Sequence, residues 1–338
     1  MKSQQETRIE QLVYYRLIAL WILCEVMLGG IIHGAKIPAS GLIVGSCAVI
    51  CISLISYHAP SKGSILKATM IVAIFKMMLS PQAPPPAYFA VLFQGLIGEV
   101  LFWNRKTYPL SCLLFGILVL LESGLQRIVV LTIVYGNDLW QAINIFINGI
   151  TRQTILINYS FFFIIGYVLI HIIVGILVGF WAGRLPQKIH SWIALHKEYL
   201  LTTDINDTND IGMPLPSKRI KKLRKSAIFI WLVLLLLYIQ SSVLLPPNMP
   251  TRIFIRSILI MLTCYFLVWP SLSWLLNTWL QKNKIRENEM IQNILKFLPH
   301  TKQLVSKSWQ LTAHNKGGRR ILLCGKIILL NTLHSPYD

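Results

Sequence analysis

Long uninterrupted apolar runs recur along this chain, and they limit what it can fold into more than any other feature. Eight runs, 17–33, 41–57, 64–80, 87–103, 109–134, 158–183, 227–245 and 253–280, carry few charges. A helix crosses a hydrocarbon layer of about 30 Å with roughly 17–25 residues, so each run is long enough to span. The runs are continuous and lack two-residue alternation, which points to helices rather than to the strands of a closed barrel. Of the 338 residues 54% are hydrophobic and 13% charged, a balance unlike that of a soluble globular domain. The expected fold is all-α: a polytopic membrane helical bundle of about eight transmembrane helices with cytoplasmic amphipathic helices after it.

The surplus of 32 Lys and Arg over 13 Asp and Glu raises nucleic acid as a partner, and its distribution argues against that. The loop after the sixth run holds Arg184, Lys188, Lys197, Lys218, Arg219, Lys221, Lys222, Arg224 and Lys225, and ten further cations follow the eighth run. Placing both segments in the cytoplasm puts the N- and C-termini inside, together with Lys62, Arg105 and Lys106, and leaves Lys36, Arg152 and Arg252 in the outer loops. One orientation in a cytoplasmic (inner) membrane, multi-pass, satisfies every loop. The charge then reads as a topology signal with attraction to anionic lipids, and no nucleic acid is expected.

Five cysteines, Cys24, Cys47, Cys51, Cys112 and Cys264, fall within the runs, and Cys324 lies in the tail. Cys47 and Cys51 share a helical face without His or carboxylate company, which suits small buried hydrophobes better than metal ligands. No metal and no cofactor are implied. The first run ends in GGIIHGAKIP without a small-residue cleavage site, so it reads as a retained span.

Four parts are expected: a six-span membrane domain over 1–183, a basic polar cytoplasmic linker over 184–225, a two-span unit over 226–280 and a basic amphipathic tail over 281–338. In the tail, IQNILKFL, LVSKSWQL and RRILLCGKIILL are too short or too basic to cross and suit helices lying on the membrane or against a partner. Between the fifth and sixth runs, YGNDLWQAINIFINGITRQTILIN is half apolar and fits either a lid or an interfacial helix. GILVGFWAG sets Gly175, Gly179 and Gly183 on one face for close helix packing, as GLIVG does for Gly41 and Gly45.

Ionisable groups inside spans are costly, so each is a candidate site with a partner to be found. Lys67 and Glu99 lie about 5–6 Å from the inner ends of their runs and suit a structural ion pair there. Lys76 and Gln94 lie about 6–10 Å from the outer ends of theirs, and Arg127 about 10 Å from the outer end of the fifth run. Glu122 and Gln126 are one turn apart on one face beside Arg127, and Glu25 and His171 sit near mid-membrane. Lys76, Gln94, Glu122, Gln126, Arg127 and His171 are the candidate substrate-binding set: fixed hydrogen-bond partners for a small polar solute in an apolar cavity. A blander arrangement fits the same residues, with Glu122 paired to Arg127 or Lys76 and His171 donating to a backbone carbonyl.

Catalytic signatures are missing. There is no GxxxxGK[ST] phosphate loop, HExxH, CxxC pair, GxSxG elbow or acidic metal cluster, so no enzyme is expected. The remaining classes are a solute-binding transport protein and a membrane scaffold or assembly factor that recruits a partner through its basic tail.

The segments IPASGLIVGS, SKGSILKATMIVAIFKMMLSP and PPPAYFAVLFQGLIGEVLF, in a six-span unit with both ends cytoplasmic, resemble the substrate-binding S components of energy-coupling factor transporters. The resemblance covers 1–183 and implies capture of a vitamin or micronutrient in the outer half of the bundle, singling out Lys76, Gln94, Gln126 and Arg127. It also implies partners: ATP-binding-cassette ATPases and a coupling subunit, with the basic cytoplasmic helices contacting the motor. Two departures stand. RLIALWILCEVMLGG has Ala19 without an alanine four residues on, and the C-terminal unit, possibly related to the coupling subunit, has only GGRR at Gly317 to Arg320 in place of an Ala-Arg-Gly signature.

Overall fold

The structure, a computed structural model, describes residues 4–35, 40–59, 61–80, 83–151, 158–195, 199–200, 233, 236, 249–282 and 286–334, and no strand occurs among them. Helix α1 (Gln4–Leu23) passes through a π-helical turn (Cys24–Leu28) into α2 (Gly29–Gly34). Then come α3 (Ser40–His58), α4 (Ser64–Leu79), α5 (Pro85–Leu101), α6 (Tyr108–Tyr135), α7 (Asp138–Thr151) and α8 (Tyr159–Leu195). Helix α9 (Met249–Thr263) continues through a second π-helical turn (Cys264–Val268) into α10 (Trp269–Lys282), followed by α11 (Arg286–Leu311) and α12 (Gly317–Leu333).

Five stretches among the described residues are long and apolar enough to cross a membrane: Ile9–Ile32, Ser40–His58, Tyr108–Tyr135, Tyr159–Ile189 and Ile253–Leu276. The other three expected spans are not among these five. Runs 64–80 and 87–103 become α4, of 16 residues, and α5, of 17. At 1.5 Å per residue these reach only about 24–26 Å. Gly63 takes a left-handed φ of 81° immediately before α4, and prolines occupy the first turn of α5, where their missing N–H costs nothing. Run 227–245 lies outside the described residues except for Val233 and Leu236.

The division expected at 183 falls inside a helix. Leu185 and Ile189, one turn apart, are buried in the core, so α8 continues for 37 residues to Leu195. The polar linker from 201 to 225 lies outside the described residues. The segment read as a lid or an interfacial helix contains α7, with Ile145, Phe146 and Ile150 exposed. Asn144 joins α7 to the start of α8, its Oδ1 accepting from the Ser160 amide at 2.8 Å and the Ser160 hydroxyl at 2.7 Å.

The core is built on α1, α3, α4 and α6, with Leu17, Ile18, Trp21, Ile52, Ile71 and Phe115 fully or almost fully buried. Ala19 belongs to this core as well. The tail does not stand apart from it. Ile291, Ile294 and Leu298 of α11 and Leu329 and Leu333 of α12 join the same cluster as Val13 and Leu17 of α1. There Arg16 stands over the Phe297 ring and donates to the His334 carbonyl at 2.7 Å.

Helices α6 and α8 meet backbone to backbone. A Cβ on Gly175 would come within 2.8 Å of the Gly116 carbonyl oxygen, one on Gly179 within 2.5 Å of the Cys112 carbonyl oxygen, and one on Gly183 within 3.2 Å of Pro109 Cα. Further along α6, Cβ atoms on Gly41 and Gly45 of α3 would run into Ser123 and Leu120. Backbone cannot move aside as a side chain can, so Gly179→Ala should lower the thermal midpoint in detergent by an amount corresponding to about 1–3 kcal/mol. Gly166→Ala, with open space around its Cβ, should leave the midpoint unchanged. Equal effects of the two substitutions would contradict the seam.

Candidate functional site

An ammonium group among apolar side chains needs a counter-charge and hydrogen-bond acceptors, and Lys76 has both. Its Nζ lies 2.6 Å from Glu25 Oε2, with side-chain exposures of 7% and 3%. A second N–H donates to the Ala87 carbonyl at 3.2 Å in the first turn of α5. Glu25 sits in the π-helical turn between α1 and α2, a local widening of the helix that recurs at functional positions. The pair therefore ties the first span to α4 and α5.

From the other side, Gln126 of α6 donates its Nε2 to the Pro86 carbonyl at 2.8 Å and lies 3.2 Å from Glu122 Oε1. Pro86 and Ala87 are adjacent, so one helical turn receives the ammonium of Lys76 and the amide of Gln126 on consecutive carbonyls. A chain of polar contacts, Glu25 to Lys76 to the first turn of α5 to Gln126 to Glu122, crosses four helical segments inside apolar surroundings. It ends in unsatisfied acceptors, because Glu25 Oε1 and Glu122 Oε2 are buried without a hydrogen-bond partner. Gln94 is buried too, and its Oε1 is likewise unpartnered. It lies seven residues along α5 from Ala87, about 10 Å away along the axis, beside Gly95, whose missing side chain lets Thr69 of α4 approach. Buried oxygens without donors are the places where a bound donor group gains most.

The other sequence-selected residues lie elsewhere. Arg127 is exposed. His171 is buried, its Nδ1 2.8 Å from the Tyr167 carbonyl, its ring tilted at 53° to that of Tyr167 and lying against the bare Cα of Gly124. It is a satisfied packing histidine between α6 and α8. The carboxylate expected to pair with Lys67 has a different partner. Glu99 accepts from the backbone amides of Gly63, at 2.5 Å, and Leu66, at 3.2 Å, and so caps the N-terminus of α4. Four amides at a helix start lack intrahelical acceptors and carry partial positive charge, so a carboxylate from α5 is held there more firmly than by a flexible lysine.

Sequence reasoning placed Lys76, Glu122 and Gln126 in the outer half but did not join Lys76 to Glu25. The available signal was one carboxylate and one ammonium in separate apolar runs at similar depth. The carbonyls of Pro86 and Ala87, which connect the two halves, leave no mark in the side-chain sequence.

Comparison with protein-family models, with curated proteins and with solved structures finds no match to this chain. What the fold and the site define is therefore a class: an all-helical protein with several helices of membrane-spanning length and apolarity, threaded by a buried polar chain.

Removing one member of a buried ion pair strands the other. Lys76→Met should destabilise the protein by about 3–5 kcal/mol in reversible unfolding from micelles. Loss of a capping acceptor costs less. Glu99→Ala should cost about 1–2 kcal/mol, and Lys67→Ala close to nothing. Equal losses for Glu99→Ala and Lys67→Ala would restore the ion pair in place of the cap.

Proposed function

We propose that the chain is a multi-pass protein of the cytoplasmic membrane, with eight spans and both termini inside, that binds a small micronutrient or vitamin-like solute from outside and works with separate ATPase and coupling subunits. The observation carrying this reading is the polar chain that ends in the unpartnered oxygens of Glu25 and Glu122, with a further unpartnered oxygen on Gln94 of α5. Keeping two carboxylates and an amide in oil with acceptors unused costs stability at each of them. A solute that supplies donors offsets that cost on binding. The resemblance of 1–183 to S components supports the same placement, in the outer half between the third, fourth and fifth runs. The chemistry is binding and transfer without covalent change, since no nucleophile–base pair or metal cluster was found in the sequence.

Within this reading the roles differ from residue to residue. Lys76 acts through Glu25, holding its carboxylate in place. Gln126 fixes Glu122, and Glu122 and Gln94 face the solute. Arg127 and His171 fall outside the set.

A second reading has one observation in its favour. Lys76 is held by Glu25 and Ala87, as in a structural ion pair, which suits a membrane scaffold or assembly factor that binds no solute.

Mass spectrometry of small molecules retained by the protein purified in mild detergent separates the two readings. A retained solute is expected, and its affinity should fall about tenfold or more in Glu122→Gln, which keeps the shape of the side chain and the contact with Gln126. Arg127→Ala should leave the affinity unchanged. A solute whose binding is indifferent to Glu122→Gln would remove the chain from the site, and the absence of any retained or added ligand would leave the scaffold.

A further inference from the structure

We propose that the turn end of the α11–α12 hairpin is a docking surface for an anionic lipid bilayer. From Met290 to His334 the chain carries seven cations, Lys296, Lys302, Lys307, Lys316, Arg319, Arg320 and Lys326, and no Asp or Glu. Helix α11 buries Ile294, Leu298, Thr301, Leu304 and Ser308, a face repeating every three or four residues. Its lysines are left on the open side. Toward the turn the apolar content is turned outward instead: Ile321 is 64% and Leu322 68% exposed, and Trp309 and Leu311 are exposed beside them. Cations interleaved with outward-facing aromatic and aliphatic residues, with no balancing carboxylate, match a surface that is negative at its head groups and apolar just beneath.

The turn end is held in shape. The Arg320 guanidinium lies 4.0 Å over the Trp309 ring and donates to the Trp309 carbonyl at 3.1 Å, and Gly317 accepts the positive φ of 62° at the start of α12. Lys326 stands 5.2 Å over Trp192, three residues beyond Ile189, where the spanning stretch of α8 ends. Ile321 and Leu322 precede Lys326 by five and four residues, about 6–8 Å along the axis of α12. An acidic protein would satisfy the cations, yet it would not account for the outward-facing Ile321 and Leu322.

The test uses the full chain in nanodiscs of phosphatidylcholine alone or mixed with phosphatidylglycerol, with tryptic cleavage after Lys316, Arg319 and Arg320 as the readout. Cleavage should be about tenfold slower in the anionic discs and should recover at high salt, which screens head-group attraction. The exposed-site variant Ile321→Asp/Leu322→Asp should be cut equally fast in both discs. Equal rates for the unaltered chain in both discs would overturn the proposal, and so would protection that appears only when an acidic protein is added.

Discussion

Lys76 has to place an ammonium group among apolar side chains, and the way it does so organises the helices around it. Its nitrogen reaches a carboxylate in the first span and a carbonyl at the head of α5, so three elements distant in sequence are held at one level. At the opposite end of the same helix, Glu99 of α5 takes the free amides at the start of α4. Helices α4 and α5 are therefore fastened at both ends by charged groups that also contact backbone.

Helix α6 distributes this order outward. Glu122 and Gln126 face the head of α5, Ser123 fills the space left by Gly41 of α3, and the missing side chain of Gly124 receives the ring of His171 from α8. Four positions within five residues thus address three neighbours, and the glycine seam against α8 brings the α6 backbone close enough for this to work. The polar chain is what the packing encloses. Its free oxygens on Glu25, Glu122 and Gln94 are the features that packing alone does not explain, and they give the solute reading its content.

Much of this was legible in the residues. Uninterrupted apolar runs required helices, glycine at every fourth position of the sixth run marked a close seam, and depth along each helix separated Glu99 from Lys76 before any contact was known. What could not be read depends on the backbone. Glu99 found amides rather than Lys67 because helix ends bind carboxylates, and side-chain charges alone do not reveal where a helix will start. Lys76 and Gln126 are joined through two carbonyls that any residue type would supply. Glu25 is turned by a π-helical turn with no compositional signature, and the extension of α8 past its apolar run rests on two leucine and isoleucine positions amid polar ones.

The central claim is that opposite charges at positions 25 and 76 meet directly in the interior. Exchanging them tests it most directly. Glu25→Lys and Lys76→Glu should each fail to give a stable, monodisperse protein in detergent, since each buries two like charges side by side. The double exchange should recover most of the original thermal midpoint. A double variant no more stable than either single one would contradict the pairing, and with it the arrangement of α1, α4 and α5.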